Sequence, residues 1–322
     1  MIDRWIRFWF TPTTPTNLGV SRMLFFGGML AMYVHEDFSA WGNISDAFWL
    51  PIPLFAALHV KAFDVDTLVT LQAIWRVALA LSAIGLLSRV AMTASFVVGL
   101  YLLGLPHNFG QTYHFDALLV LAMGVLAASR AGDACSVDAW LEGVPEVQPS
   151  GEYTWPLRAI WVAMALVFFA AGFAKVRYGG VAWIISDNMS ILLTRALYHV
   201  SDADPMTRAG LWIAQRHWLS SGLAAGAVAI ELGFPLALIS QRARALLVPA
   251  AFGMLIGIRI LMGPTFGGFL IAGVFWIPWD ALTRRFRAQT GDLDDGALRR
   301  LAPSYVSIGR RNRAASTSTN DV

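Results

Sequence analysis

The apolar positions of this chain gather into runs instead of alternating. Eight runs approach the ~20 residues that a helix needs to cross a hydrocarbon layer. They lie at Leu18–Val34, Thr67–Leu87, Val90–Leu105, Phe115–Ala128, Pro156–Val176, Leu219–Ser240, Ala245–Met262 and Thr265–Trp279. The fourth is the shortest and begins beside Asp116. Two separators, His35–Asp66 and Arg177–Trp218, are long enough to fold over a surface. The first holds WLPIPLF, and in the second DNMSILLTRALYHV has the pattern of an amphipathic interfacial helix. Ahead of the first run, IDRWIRFWF puts Trp5, Phe8 and Trp9 on one helical face and Arg4 and Arg7 on the other. Helices lying among lipid headgroups look like this. The pattern predicts an all-α, polytopic integral membrane helical bundle of about eight transmembrane helices plus interfacial helices. It divides into an interfacial amphipathic leader at 1–17, a transmembrane domain at 18–280 and a basic, disordered cytoplasmic tail at 281–322.

Composition agrees with this pattern. Hydrophobic residues fill 57% of 322 positions and charged residues 14%, too few polar groups to cover a water-soluble core of this size. The lipid bilayer is therefore the first expected partner. The first apolar run lacks an A-x-A-like exit, so no cleavable signal peptide is expected. One cysteine, Cys135, excludes an intramolecular disulfide and any CxxC motif. GxxxxGK[ST], GxGxxG, HExxH and GxSxG are absent, and basic residues do not interleave with aromatics on a solvated face, so nucleic acid is not an expected partner.

The net charge of +3 matters less than its distribution. With the N-terminus inside, Lys and Arg in the inner segments number 15 against 5 in the outer loops, which predicts cytoplasmic N- and C-termini. All six histidines then fall on the outer side.

Ionisable side chains within spans are costly and mark candidate sites. Five occur here: Arg22, Arg76, Lys175, Glu231 and Arg259. Arg76 and Glu231 both fall near mid-membrane and are the expected structural ion pair, locking two helices together. Arg22, near a helix start, reads as a snorkelling anchor. Lys175 stands out because the chain uses Arg at 22 of its 24 basic positions. Arg keeps its proton under any ordinary condition, whereas a desolvated Lys can release it and act as a base. Arg259 lies at a similar depth, and a cation there would favour that release. A lysine snorkelling to the headgroups is the competing explanation. Tyr113, His114 and Asp116, in QTYHFDALL, are candidate ligand contacts at a span mouth. HxD offers only two ligands with no i,i+4 partner, so no metal is expected. Gly222/Gly226 and Gly253/Gly257 read as helix-packing surfaces.

Three segments resemble one family. FFAAGFAKVRYGGVAWI resembles the aromatic–AG–xx–Lys…Trp signature of vitamin K-dependent gamma-glutamyl carboxylase and its bacterial relatives, the HTTM (horizontally transferred transmembrane) proteins. CSVDAWL resembles the SVD segment preceding that signature, and TPTTPTNLGVSRMLFFGGML resembles the family's start. The resemblance implies that Lys175 matches the catalytic base, that Trp183 matches the downstream Trp, and that the cofactor is a reduced, vitamin K-like quinone. It also implies a bacterial inner membrane with the active face outward. The chain departs from the carboxylase in lacking a histidine before the SVD segment and another within FGMLIGIRILMG. No large lumenal domain is expected after the last span. Two functions are expected on this basis. One is a quinol-dependent epoxidation or carboxylation-type enzyme, with Lys175 as base and His114, Asp116, Tyr113, Trp183 and Arg259 contacting substrate or cofactor. The alternative is a non-catalytic, partner-dependent maturation factor for an exported peptide or toxin of the sporulation-delaying type, acting with a small accessory protein.

Overall fold

A computed structural model of the chain describes residues 2–110, 116–143, 148–196 and 205–283. Tyr113, His114 and the predicted tail from residue 284 onward lie outside the described residues. Among the described residues there is no β-strand, and an isolated bridge pairs Thr13 with Ser150.

The leader is helical (α1, Ile2–Phe10), with the Trp9 ring edge-on to Trp5 and Phe8 at 5.6 and 5.1 Å. After α2 (Thr16–Tyr33) comes a loop that holds α3 (Pro53–Ala57). Asp64 then caps α4 (Val65–Ile84) by accepting the Thr67 N–H at 2.8 Å. The helix stops at Gly85, whose φ of +72° suits glycine. Next come α5 (Ser88–Gly104), α6 (Ala117–Ala127) and α7 (Val137–Glu142), the last capped by Ser136. Pro156 opens the 25-residue α8 (Trp155–Gly179), which is about 37 Å long at helical rise. Four shorter elements surround a longer one: α9 (Ala182–Ile185), α10 (Asn188–Ala196), α11 (Pro205–Ala214), α12 (His217–Gly233) and α13 (Leu236–Ile239). The chain continues with α14 (Gln241–Met262) and α15 (Gly267–Ala272). Residues up to Ile277 form one compact unit. A second begins at Pro278, and its described part is one turn closed by Thr283 donating to the Trp279 carbonyl at 3.0 Å.

Four helical segments are long and apolar enough to cross a membrane: Val65–Ile84, Ser88–Phe109, Gly151–Gly179 and Gln241–Met262. They coincide with the second, third, fifth and seventh predicted runs. The first run is α2, and the fourth forms the shorter α6. The sixth run is divided: α12 ends at Gly233, and α13 restarts beyond Pro235, which lacks an N–H and disfavours helix at the residue before it. In the eighth run, glycines leave only the six-residue α15 and a 3₁₀ turn at Gly273–Trp276.

The apolar side chains bury into two adjoining clusters. One gathers Phe25, Phe26, Trp75, Leu79, Met92 and Met123 from α2, α4, α5 and α6. The other gathers Met164, Phe168, Phe234, Leu255, Phe269 and Trp276 around α8 and α14. Helix α8 contributes to both.

Arg22 corrects an expectation. It does not snorkel: it is fully buried, at 0% exposure. Its guanidinium donates to the Ser82 and Ala83 carbonyls at 2.5 and 3.3 Å and to the Cys135 carbonyl at 2.6 Å. Ser82 and Ala83 end α4, so the cation meets orphan carbonyls at a helix C-terminus, where positive charge is favoured. The SVD segment completes this clasp. Asp138 accepts the N–H groups of Leu87 and Ser88 at 2.8 and 2.7 Å and returns its own N–H to the Gly85 carbonyl at 3.0 Å. A side chain at Gly85 would collide with Arg22 and Ser136.

Candidate functional site

Helix α12 buries Ser220, Ala224, Val228 and Glu231, a stripe at helical spacing, and this stripe faces α8. The two helices are in close contact at Gly172. A Cβ there would stand 2.8 Å from Glu231 Cβ and 3.0 Å from the Leu232 backbone nitrogen, so only glycine admits this contact. Lys175 follows Gly172 by three residues and shares its face. Its Nζ lies 2.6 Å from both carboxylate oxygens of Glu231. The pair is largely withdrawn from solvent, with side-chain exposures of 24% for Lys175 and 9% for Glu231. Beyond Gly180, the turn into α9 swings Trp183 back until its ring centre is 5.3 Å from Nζ, a cation–π contact.

This pair lies in the wall of a cavity of about 360 Å³ between α12, α14 and α10. Its walls are otherwise apolar, with Met189, Leu193, Ile230, Met254 and Ile258 among them, and no other lining residue is ionisable among the described residues. Gly222, Gly226, Gly253 and Gly257 also line it, and a Cβ added at any of the four meets nothing within 4 Å. The expected packing role of these glycines is therefore corrected. They leave space, and the space belongs to the site.

The other sequence candidates scatter. Arg76 and Glu231 do not pair: Glu231 is held by Lys175, while Arg76, midway along α4, donates to the Glu36 carbonyl just beyond α2 at 2.7 Å. Helix α4 packs on α2 and α5, whereas α12 packs on α8, so equal depth did not bring these two charges together. Arg259 is exposed, donates to the Gly263 carbonyl at 3.2 Å and is absent from the cavity wall. Asp116 accepts the Tyr33 hydroxyl at 2.5 Å and is likewise absent from that wall. Among the described residues no group of three or more His, Cys, Asp or Glu could hold a metal ion. Glu231 as the lysine's partner and the open glycine faces are what the sequence reading missed. Gly172, one turn before Lys175 in the same signature, was the available signal for the first.

Bilayer-length apolar helices around a buried lysine–carboxylate pair define an all-helical integral membrane protein. Within that class the chain belongs to the HTTM family, for the HTTM domain matches residues 10–260. The match takes in Lys175, Trp183 and Glu231, and the domain is associated with gamma-carboxylase-like membrane proteins. No curated protein and no solved structure matches the chain significantly.

Proposed function

We propose that this chain is a quinol-using, gamma-carboxylase-like enzyme of the bacterial inner membrane. It has eight spans and cytoplasmic termini, and its site faces outward. The observation carrying this reading is the Lys175 amine, in contact with Glu231 on the wall of an otherwise apolar cleft. The residues present suit a reduced quinone. Apolar walls accept a ring and its chain, Trp183 offers an aromatic face, and Nζ is the donor–acceptor within reach of a ring hydroxyl. When bound, the quinol supplies a phenolic proton and the reducing power for chemistry with oxygen.

The chain's own residues then handle one proton. Nζ of Lys175 accepts it from the hydroxyl, and a proton already on Nζ passes to Glu231 across the 2.6 Å contact. The pair goes from net neutral to net positive, and the ammonium remains where a negative oxygen must be held. Apolar walls exclude water and strengthen that attraction. In this arrangement the carboxylate does what a second cation was expected to do: it gives the lysine a way to act as a base.

The test uses purified protein in lipid bilayers with a reduced naphthoquinone and oxygen, followed by mass spectrometry of the quinone. Epoxide is expected from the wild type and none from Lys175→Arg, which keeps the charge and removes the base. Equal product from both would discard the base role. The family's other reading, a partner-dependent maturation factor, requires only the cleft. Full peptide maturation by Lys175→Arg would select it.

A further inference from the structure

At the other end of α8 two cations meet with no carboxylate paired to either among the described residues. Arg158 lies in the first turns of α8 and Arg244 in those of α14, and neither helix has an acidic residue in its first turn. Helix N-termini already carry partial positive charge, so these are the ends least suited to added cations. Yet the two guanidinium carbons stand 4.4 and 4.3 Å from the centre of one ring, Trp161, and Arg158 also lies 5.1 Å from the Phe8 ring of the leader. Trp161 is itself fixed: Trp276 stacks on it at 4.5 Å and 5° from parallel, and its Nε1–H donates to the Phe275 carbonyl at 2.7 Å.

Arg244 spends two nitrogens on the Ala237 and Leu238 carbonyls at 2.9 and 3.4 Å. The Arg158 guanidinium has no hydrogen-bond acceptor among the described residues, and the charged group acting on it is Arg244. Arg130 shows what an ordinary arginine does nearby in the chain, with Asp133 at 2.8 Å and Glu152 at 3.9 Å. Two half-buried guanidiniums in contact with one indole ring, with N–H donors to spare, fit an oxyanion that accepts several hydrogen bonds at once.

We propose that Arg158 and Arg244 form a binding site for a phosphate-bearing anion, supplied by the headgroup of an anionic lipid or by free phosphate. The leader places aromatic side chains beside the site, as expected at headgroup depth. The lipid is the source that this position favours, and the chemistry is the same for either.

The experiment reconstitutes the full chain in nanodiscs of phosphatidylcholine alone, of phosphatidylcholine with phosphatidylglycerol, and of phosphatidylcholine in phosphate buffer. Thermal midpoints and native mass spectrometry of retained lipid are the readouts. Wild type is expected to gain stability with phosphatidylglycerol and to retain it through delipidation. The Arg158→Gln/Arg244→Gln variant is expected to lose that gain, with retention falling ~10-fold or more. Arg242→Gln, at an exposed neighbour, is expected to behave as wild type. A shift with phosphate alone assigns the site to a soluble anion and upholds it. The proposal fails if the double variant responds to phosphatidylglycerol as wild type does. It fails equally, with no variant needed, if wild type neither prefers phosphatidylglycerol nor responds to phosphate.

Discussion

Lys175 and Glu231 hold each other through two contacts of 2.6 Å, and each is the other's counter-ion in an apolar wall. Removing one leaves the other's charge uncompensated. Glu231→Gln is therefore expected to cost on the order of 3 kcal/mol, read as a lowered thermal midpoint, and to cut turnover as well. The double variant Lys175→Met/Glu231→Met separates the two effects, because apolar replacements of a buried pair are often close to neutral. It should recover most of the lost stability and none of the activity. For Lys175→Arg the expected loss is ~10²-fold or more in epoxide formation, the range of a positioned acid–base group. Lys175 drew attention in the sequence because a lysine inside an apolar run of an arginine-rich chain asks for a reason. Its partner was not. Depth along a span says how far two charges lie from the surface, and says nothing about which helices are neighbours.

Among elements, the contrast is between glycines that look alike in sequence. Gly172 presses on the α12 backbone, whereas Gly226 and Gly253 face open space. Gly172→Ala should force α8 and α12 apart, costing about 1–3 kcal/mol and loosening Lys175 from Glu231. Gly253→Ala should leave thermal stability unchanged or raise it by ~0.5–1 kcal/mol, since alanine is the better helix former. Gly253→Leu should instead fill the cleft and abolish ligand binding while the protein stays folded. Thermal unfolding and a binding assay together check all three. A four-residue glycine spacing only promises a bare helix face, and whether a neighbour or a void covers it depends on contacts distant in sequence. The helices themselves were largely legible from apolar runs, except where Pro235 and the late glycines interrupted them.

The clasp between the α4–α5 turn and α7 adds a pH dependence at this scale. Burial acts to raise the Asp138 carboxyl, but the Ser88 and Leu87 N–H groups and nearby Arg22 hold it below its ordinary value. A depressed folded value stabilises above the unfolded carboxylate range and is lost as pH falls through the folded value. Thermal midpoints of wild type should therefore drop in acid. Asp138→Asn should lose ~1 kcal/mol at neutral pH and show a shallower acid fall.

At the scale of the molecule, the sole cysteine tests the proposed topology without further engineering. Cys135 is exposed and lies between spans assigned to the cytoplasmic side. A membrane-impermeant maleimide should leave it unlabelled in intact spheroplasts and modify it once the inner face is opened. Labelling of intact cells would invert the topology and carry Lys175 to the wrong side. The glycine-bared cleft has a consequence of its own. Its rim includes exposed Leu223 and Gly253, so under the proposed topology its mouth opens onto acyl chains. A hydrophobic guest then arrives by lateral diffusion, and what governs its capture is its mole fraction in the lipid. Adding empty vesicles at constant guest should dilute it away and slow the proposed turnover, although the aqueous volume has not changed.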